Sequence, residues 1–544
     1  MSDRGAGISR RAFVGASVFT LGGCAAWPTP YPAPTPGPRT SIDVHCHIFN
    51  AHDWAIRNGI LFVVLEKYPV WADFLQPLVS LLAFIMDNNA PTAEQERQLL
   101  LSGNLGASPP GRPSFEVGVA RALTRFQSED KFDLRGLPAF RARSFRARKL
   151  RFLDQLLREY GLAYRAHQMT REDSALVTEL ANRIVAGIPR KKLGPRSKSS
   201  NAFLSFEEIS NWAGWAWGYT NWRFQILRNL ANLSPQGADE IRLYTPATID
   251  FAYWLDQTDT TPIDQQAEIM RLISALPQPG FGARSIIAFD PWSQVKAWKD
   301  NAPGPLDWVK NAFAAGGHVG VKIYPARGFL PYFNAGEDCF PRQLRELTAP
   351  RHPGVELDRA LGALYEWCLA GDIPIMAHCA FSSFTMPRLG ARASPFGWRN
   401  ALTQFPKLRV NLAHCGGPWD LYPDSHRPGA ETWTGEVINL LNDPRYNVFA
   451  DVADNSYVLE NSAADRERNG RANERLAAYL SNAPRARTRL MYGTDWSPLG
   501  RELHADRYYA AMKTTFCKAL KFTPSEVLGF MGGNAARFLN LAVV

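Results

Sequence analysis

The chain has 544 residues, of which 46% are hydrophobic and 21% charged, enough to bury a large core and well beyond the about 250 residues of a minimal (β/α)8 barrel. Its net charge is +10, or +8 without residues 1–23, which hold Arg4, Arg10, Arg11 and Asp3. The basic runs at 141–151 and 190–198 read as solvated helix faces or as contacts for anionic lipid headgroups; with no recognisable binding fold, a nucleic-acid partner is not expected. The seven cysteines include no Cys-x-x-Cys pair, which excludes a structural zinc site of the finger type.

The chain opens on a targeting pattern. Ser9-Arg10-Arg11-Ala12-Phe13-Val14-Gly15 resembles a twin-arginine export signal, and the apolar stretch after it ends in Leu21-Gly22-Gly23-Cys24, which resembles a lipoprotein cleavage box. Residues 1–23 are therefore expected to be removed and Cys24 to carry lipid, giving an exported periplasmic or cell-envelope protein held to a membrane by its anchor. Residues 24–40 are proline-rich and favour extended polyproline II at ~3.1 Å per residue, a tether holding the folded part off the membrane.

The first strand is Ser41-Ile42-Asp43-Val44-His45-Cys46-His47. Side chains alternate along a strand, so His45 and His47 point the same way and can converge on one metal ion, while Cys46 points oppositely. Residues 50–240 then interrupt the strand–helix pattern and are expected to form a mainly helical cap over the strand ends. Its aromatic run from Asn211 to Trp222 reads as cap core, with a substrate-pocket lining as the other reading. Phe74–Met86, 13 residues including Pro77, is too short to span a bilayer and reads as a buried helix.

From residue 241 onward, strands are predicted near 241–245, 285–289, 319–324, 373–378, 409–414, 447–451 and 489–495, which with the first makes eight. Helical apolar spacing separates the later ones, as at 265–273, so the sheet is expected to be parallel. Several of these runs end in a side chain able to bind metal or move a proton: His378, His414 and Asp495. Parallel strands with polar last residues describe the C-terminal face of a (β/α)8 barrel.

His45-Cys46-His47, Val321-Lys322-Ile323-Tyr324-Pro325, Ala377-His378, Ala413-His414-Cys415-Gly416-Gly417, Gly493-Thr494-Asp495 and the closing Gly533-Asn534-Ala535-Ala536-Arg537-Phe538 together resemble the amidohydrolase superfamily. The branch is the amidohydrolase-related one, with aminocarboxymuconate-semialdehyde decarboxylase and several lactone hydrolases. The resemblance covers 41–49 and 241–544 and leaves 50–240 unexplained. It implies an α/β fold, a distorted (β/α)8 TIM barrel with the large helical insertion after its first strand.

By the same resemblance, His45, His47, His378 and Asp495 bind one divalent metal, most often zinc. His414 is then a catalytic histidine beside them, and Asp495 the proton acceptor. Lys322 shares a strand face with Tyr324 and is expected to point into the barrel near its mouth. It reads as a cation for a substrate carboxylate, as one side of a structural salt bridge, or, carbamylated, as the bridge to a second metal. Arg327 and Tyr324 join it as substrate-binding residues, Arg327 either clamping a carboxylate or solvating a turn. Cys46, Cys379 and Cys415 read as packed thiols.

The expected activity is metal-dependent hydrolysis of a small ester, lactone or amide by activated water. The alternatives are a non-oxidative decarboxylase using the same ligands and a non-catalytic exported lipoprotein.

Overall fold

The computed structural model describes residues 41–54, 86–87, 89–103, 105, 218–235, 241–255, 258–278, 280–381, 387–417, 421, 433–496, 498–502 and 504–541. The export signal with Cys24, the tether, both basic runs and most of the expected cap lie outside the described residues.

Among the described residues nine strands follow one another in chain order: β1 Ser41–Cys46, β2 Ile241–Pro246, β3 Gly282–Ala283, β4 Ser285–Ala288, β5 His318–Ile323, β6 Ile375–His378, β7 Arg409–Ala413, β8 Asn447–Asp451 and β9 Leu490–Met491. Every pairing between them is parallel. They form a sheet in the order β1-β2-β3 and another in the order β4-β5-β6-β7-β8-β9, with a bridge from Ala247 to Ile286 between the two. At the other edge the backbone N–H of Val44 donates to Tyr492 O (3.2 Å), and those of Thr494 and Asp495 both donate to His45 O (3.1 and 2.7 Å).

All eight strands read from the sequence are present, with two differences. The third, read at 285–289, is preceded by a separate short strand at 282–283, which pairs with β2 while the predicted one pairs with β5. The last ends at Met491, and Asp495 lies four residues beyond it, in a turn with φ 49°. Apolar alternation stops at Tyr492, and Gly493 brings the chain so close to β1 that a Cβ there would sit 2.9 Å from His45 Cβ.

The long helices fall between strands, where their apolar faces have a sheet to cover. The principal ones are α1 Ala93–Ser102, α2 Arg223–Leu233, α3 Ile263–Ala275, α4 Pro291–Asp300, α5 Pro305–Ala315, α6 Pro353–Gly371, α7 Pro395–Gln404, α8 Trp433–Asn442 and α9 Ala463–Ser481. Alternate strand residues (Val321, Ile323, Ile375, Ala377, Val410, Leu412, Val448 and Ala450) share the main apolar cluster with Leu361 and Leu364 of α6, Trp398 of α7, Leu441 of α8 and Leu480 of α9. The residues between them, among them Lys322, Met376, His378, Asn411 and Asp451, therefore point to the opposite side of the sheet. There Ala247, Ile286, Met376 and Ala413 form a small buried apolar group, beneath the polar strand ends.

Of the region expected to be the cap, α1 and α2 are described and are helical. Arg223 at the start of α2 is completely buried and joins Asp53, after β1, to Glu96 of α1, with Arg223 Nη1 2.6 Å from Glu96 Oε2 and Nε 2.7 Å from Asp53 Oδ2. Phe224 N–H donates to the other Glu96 oxygen. Tyr219 and Trp222, from the aromatic run, are buried; residues 211–217 of that run and nearly all of Phe74–Met86 lie outside the described residues. Among the described residues no helix is long and apolar enough to cross a membrane.

Candidate metal centre

Because the strands are parallel, their C-terminal ends share one edge, and the predicted site residues gather there. His378 is the last residue of β6, His414 directly follows β7 and Asp495 follows β9. His47 lies one residue past β1, yet its ring remains 5.3 Å from that of His45. His45 Nε2 and His47 Nε2 stand 3.5 and 3.3 Å from Asp495 Oδ1. The His414 ring is 4.8 Å from His45 and 4.7 Å from His378. All five side chains are buried.

Among the described residues, two groups of three have donor atoms within 4.8 Å of one another: His45, His47 and Asp495, and His45, His414 and Asp451. His378 is in neither; its ring is stacked on Tyr324 at 4.3 Å, beside His414.

Asp451 is a site residue that the sequence reading missed. Its Oδ1 lies 3.1 Å from His45 Nδ1 and accepts from the backbone N–H of His414 (3.0 Å) and Ala453 (3.2 Å), while Oδ2 accepts from Asn411 Nδ2 (2.6 Å). Burial works against its charge, but His45 and His414 hold its carboxyl well below the usual carboxylate range. With its oxygens so engaged, Asp451 orients His45 rather than competing as a ligand. The signal was available: 447–451 is an apolar run ending in a carboxylate.

Whether these residues suit a metal is tested by their hydrogens. His47 Nδ1 is 2.8 Å from Ala247 O and His45 Nδ1 is held by Asp451, and both acceptors need an N–H. A neutral imidazole then has only a lone pair at Nε2. Burial, with Lys322 nearby, lowers the His45 pKa to about 4, so its ring is neutral. The His45 Nε2 lone pair lies 3.1 Å from Lys322 Nζ, and both it and His47 Nε2 stand within 3.5 Å of Asp495 Oδ1. His378 Nδ1 and Nε2 and His414 Nε2 are buried without a hydrogen-bond partner, a costly state in an apolar interior. The donor set, imidazole nitrogens with a carboxylate, is that of a divalent transition metal.

The backbone is bent to achieve this. His414, Cys415 and Asp495 have φ of 65°, 50° and 49°, each costing about 1–3 kcal/mol for a non-glycine residue. Asp43 binds the strand to the last turn: its Oδ1 accepts from the backbone N–H of His45 (3.3 Å) and Thr494 (3.0 Å), and its Oδ2 lies 2.6 Å from Thr494 Oγ1. Burial pushes the Asp43 carboxyl up to about 7.

Lys322 points inward, as expected, and is buried with Nζ 3.1 Å from His45 Nε2. Burial pulls its pKa down to about 8, and the charges of Asp451 and Asp495 act in the other direction. Arg327 is only 2% exposed, which removes the reading of an arginine solvating a surface turn. Its guanidinium lies 4.0 Å from the Phe251 ring and 5.0 Å from that of Tyr324. Cys46, Cys379 and Cys415 are packed into the main apolar cluster. A cavity of about 30 Å³ beside His414, lined also by Thr434, Asp454 and Asn455, has room for about one water.

Residues 299–541 match the amidohydrolase family model. No curated protein matches the chain. Among solved structures, an amidohydrolase from Burkholderia multivorans with bound HEPES is 14% identical, over 58% of this chain and 87% of its own, with a TM-score of 0.35. The same bacterium's amidohydrolase with bound zinc gives 16%, 54%, 93% and 0.28. Likenesses this distant transfer no residue roles to this chain.

Proposed function

We propose, from the match of residues 299–541 to the amidohydrolase family model, that the chain is a metal-dependent hydrolase of a small ester, lactone or amide bearing a carboxylate. The observation that carries this is the convergence of His45 Nε2 and His47 Nε2 on one Asp495 carboxylate oxygen, at 3.5 and 3.3 Å, with His378 Nδ1, His378 Nε2 and His414 Nε2 buried beside them without a hydrogen-bond partner. His45, His47 and Asp495 would hold one divalent ion, zinc by the nature of the donors, with His378 completing the set.

A divalent ion bound there supplies Lewis acidity and lowers the pKa of a water to near neutrality. The chain's own groups do the rest. Asp495, held ionised, takes the proton of the attacking water and returns it to the leaving group. Asp451 keeps the Nδ1 hydrogen on His45, so that its lone pair stays directed at the site. His414, between His45 and His378, polarises the reacting carbonyl. Lys322 and Arg327 are buried cations on the same side, joined by Tyr324, whose ring is 5.1 Å from Lys322 Nζ and 5.0 Å from the Arg327 guanidinium. That charge in a water-poor site suits a substrate carboxylate. A carbamylated Lys322 would instead bridge to a second ion, and metal stoichiometry decides between the two.

The same proposal includes a complete (β/α)8 barrel with residues 50–240 as its helical cap, export directed by residues 1–23, and a membrane anchor on Cys24. Its test is elemental analysis of the purified protein together with the His378→Ala variant. One or two equivalents of divalent metal, largely lost in the variant without loss of fold, support it. No metal after reconstitution refutes it. Release of carbon dioxide without a new carboxylate would show a lyase.

A further inference from the structure

The opposite face, where the strands begin, carries an unbalanced group of arginines. Arg409 is the first residue of β7 and Arg489 immediately precedes β9. Arg537 is exposed and donates to Thr488 O (2.5 Å), beside Arg489, and half-buried Arg485 donates to Tyr446 O (2.8 Å), at the start of β8. Arg409 pairs with Asp372. Among the described residues none of Arg485, Arg489 and Arg537 has a carboxylate within ion-pair distance, although the charge of Asp443 acts on Arg485; each is held by neutral acceptors, Arg489 by Asn447 Oδ1 at 2.9 Å. Burial and the charges of Arg485, Arg537 and Arg409 lower the Arg489 pKa to about 10, the effect of like charges crowded together.

Arg485 and Arg537, tied to backbone carbonyls, and Arg489, tied to Asn447 Oδ1, are held close together, so an anion placed on them meets a preorganised surface. The chain itself indicates which anion. β1 starts at Ser41 on this same face, and residue 40 and the proline-rich segment before it must join there, on the side away from His45, His378 and Asp495. A membrane tether joined at this point brings this face, and not the metal centre, toward the lipid.

We propose that the face formed by Arg485, Arg489 and Arg537 rests on an anionic phospholipid surface, with the metal centre directed away from the membrane. The contact needs no lipid on Cys24, so the two ideas fail separately.

The test uses the full chain carrying Cys24→Ser, sedimented with vesicles of phosphatidylglycerol and phosphatidylcholine or of phosphatidylcholine alone. The parent should prefer the anionic vesicles and lose that preference at high salt. Adding Arg489→Gln and Arg537→Gln should weaken anionic binding about thirty-fold, at about five-fold per charge near the surface, and leave binding to neutral vesicles unchanged. Arg489→Lys with Arg537→Lys should bind within two-fold of the parent. Equal binding to both vesicle types, parent-like binding by the glutamine pair, which would assign the contact to other basic segments, or loss of binding in the lysine pair would each overturn the proposal.

Discussion

Asp451→Asn separates the charge behind the metal centre from its shape. An asparagine keeps an oxygen where Oδ1 now meets His45 Nδ1 and the backbone N–H groups of His414 and Ala453. It places an NH2 where Oδ2 now accepts from Asn411 Nδ2 at 2.6 Å. Two donors then oppose each other. Turning the Asn411 amide to relieve this gives up its bond from Asp451 N (2.9 Å). One charge-assisted hydrogen bond is lost either way, a cost of about 1.5–3 kcal/mol in the metal-free protein. His45 also loses the carboxylate that makes it a better donor, so metal affinity should fall about 10- to 100-fold, or about 1.4–2.7 kcal/mol. Competition with a chelator of known affinity measures the second quantity and urea melts of the metal-free protein the first. Metal affinity within two-fold of the parent would refute the role given to Asp451.

His378→Ala removes two buried nitrogens that have no partner, so metal-free stability should change by less than the about 2–5 kcal/mol usual for emptying a core site; a larger loss in a urea melt would mean that the ring has a structural role. Asp43→Asn tests a pH effect. With its folded pKa raised to about 7 over about 3.9 unfolded, Asp43 contributes stability that is fully present below pH 4 and lost as pH rises through 7. Between pH 5 and 8 the parent should therefore lose on the order of 2 kcal/mol more than the variant, and parallel stability profiles would contradict it. Arg223→Ala leaves Asp53 and Glu96 as buried carboxylates without their cation and should cost about 3–5 kcal/mol, measured by urea unfolding; a cost below 1 kcal/mol would show that the two acids find other partners. Gly493→Ala sets a methyl against His45 Cβ and should cost about 1–3 kcal/mol together with metal binding, so a variant with full metal and an unchanged melt would show that the turn can move aside.

Strand positions and their polar last residues were legible from the sequence because period-two alternation and apolar runs are local properties of the chain. His45, His47, His378, His414 and Asp495 each stand at or just past such a run, and parallel pairing brings those ends to one edge. The amidohydrolase resemblance, carried by short motifs around the same residues, agrees with the family match over 299–541. What depends on register and on turns was not legible. Which carboxylate meets the Nε2 atoms of His45 and His47 and which supplies a hydrogen-bonded support, as Asp495 and Asp451 do, follows from the positions of β1, β8 and β9 relative to one another. The left-handed turns at His414 and Asp495 depend on contacts with Asp451 and His45 from other strands. Burial of Arg327 and the separation of His378 from the His45, His47 and Asp495 group are likewise matters of packing. The sequence by itself determined which side chains reach the strand ends, since alternation is written into the chain; only the tertiary structure decided what each of them meets there, because hydrogen-bond partners, burial and charge come from residues far away in sequence.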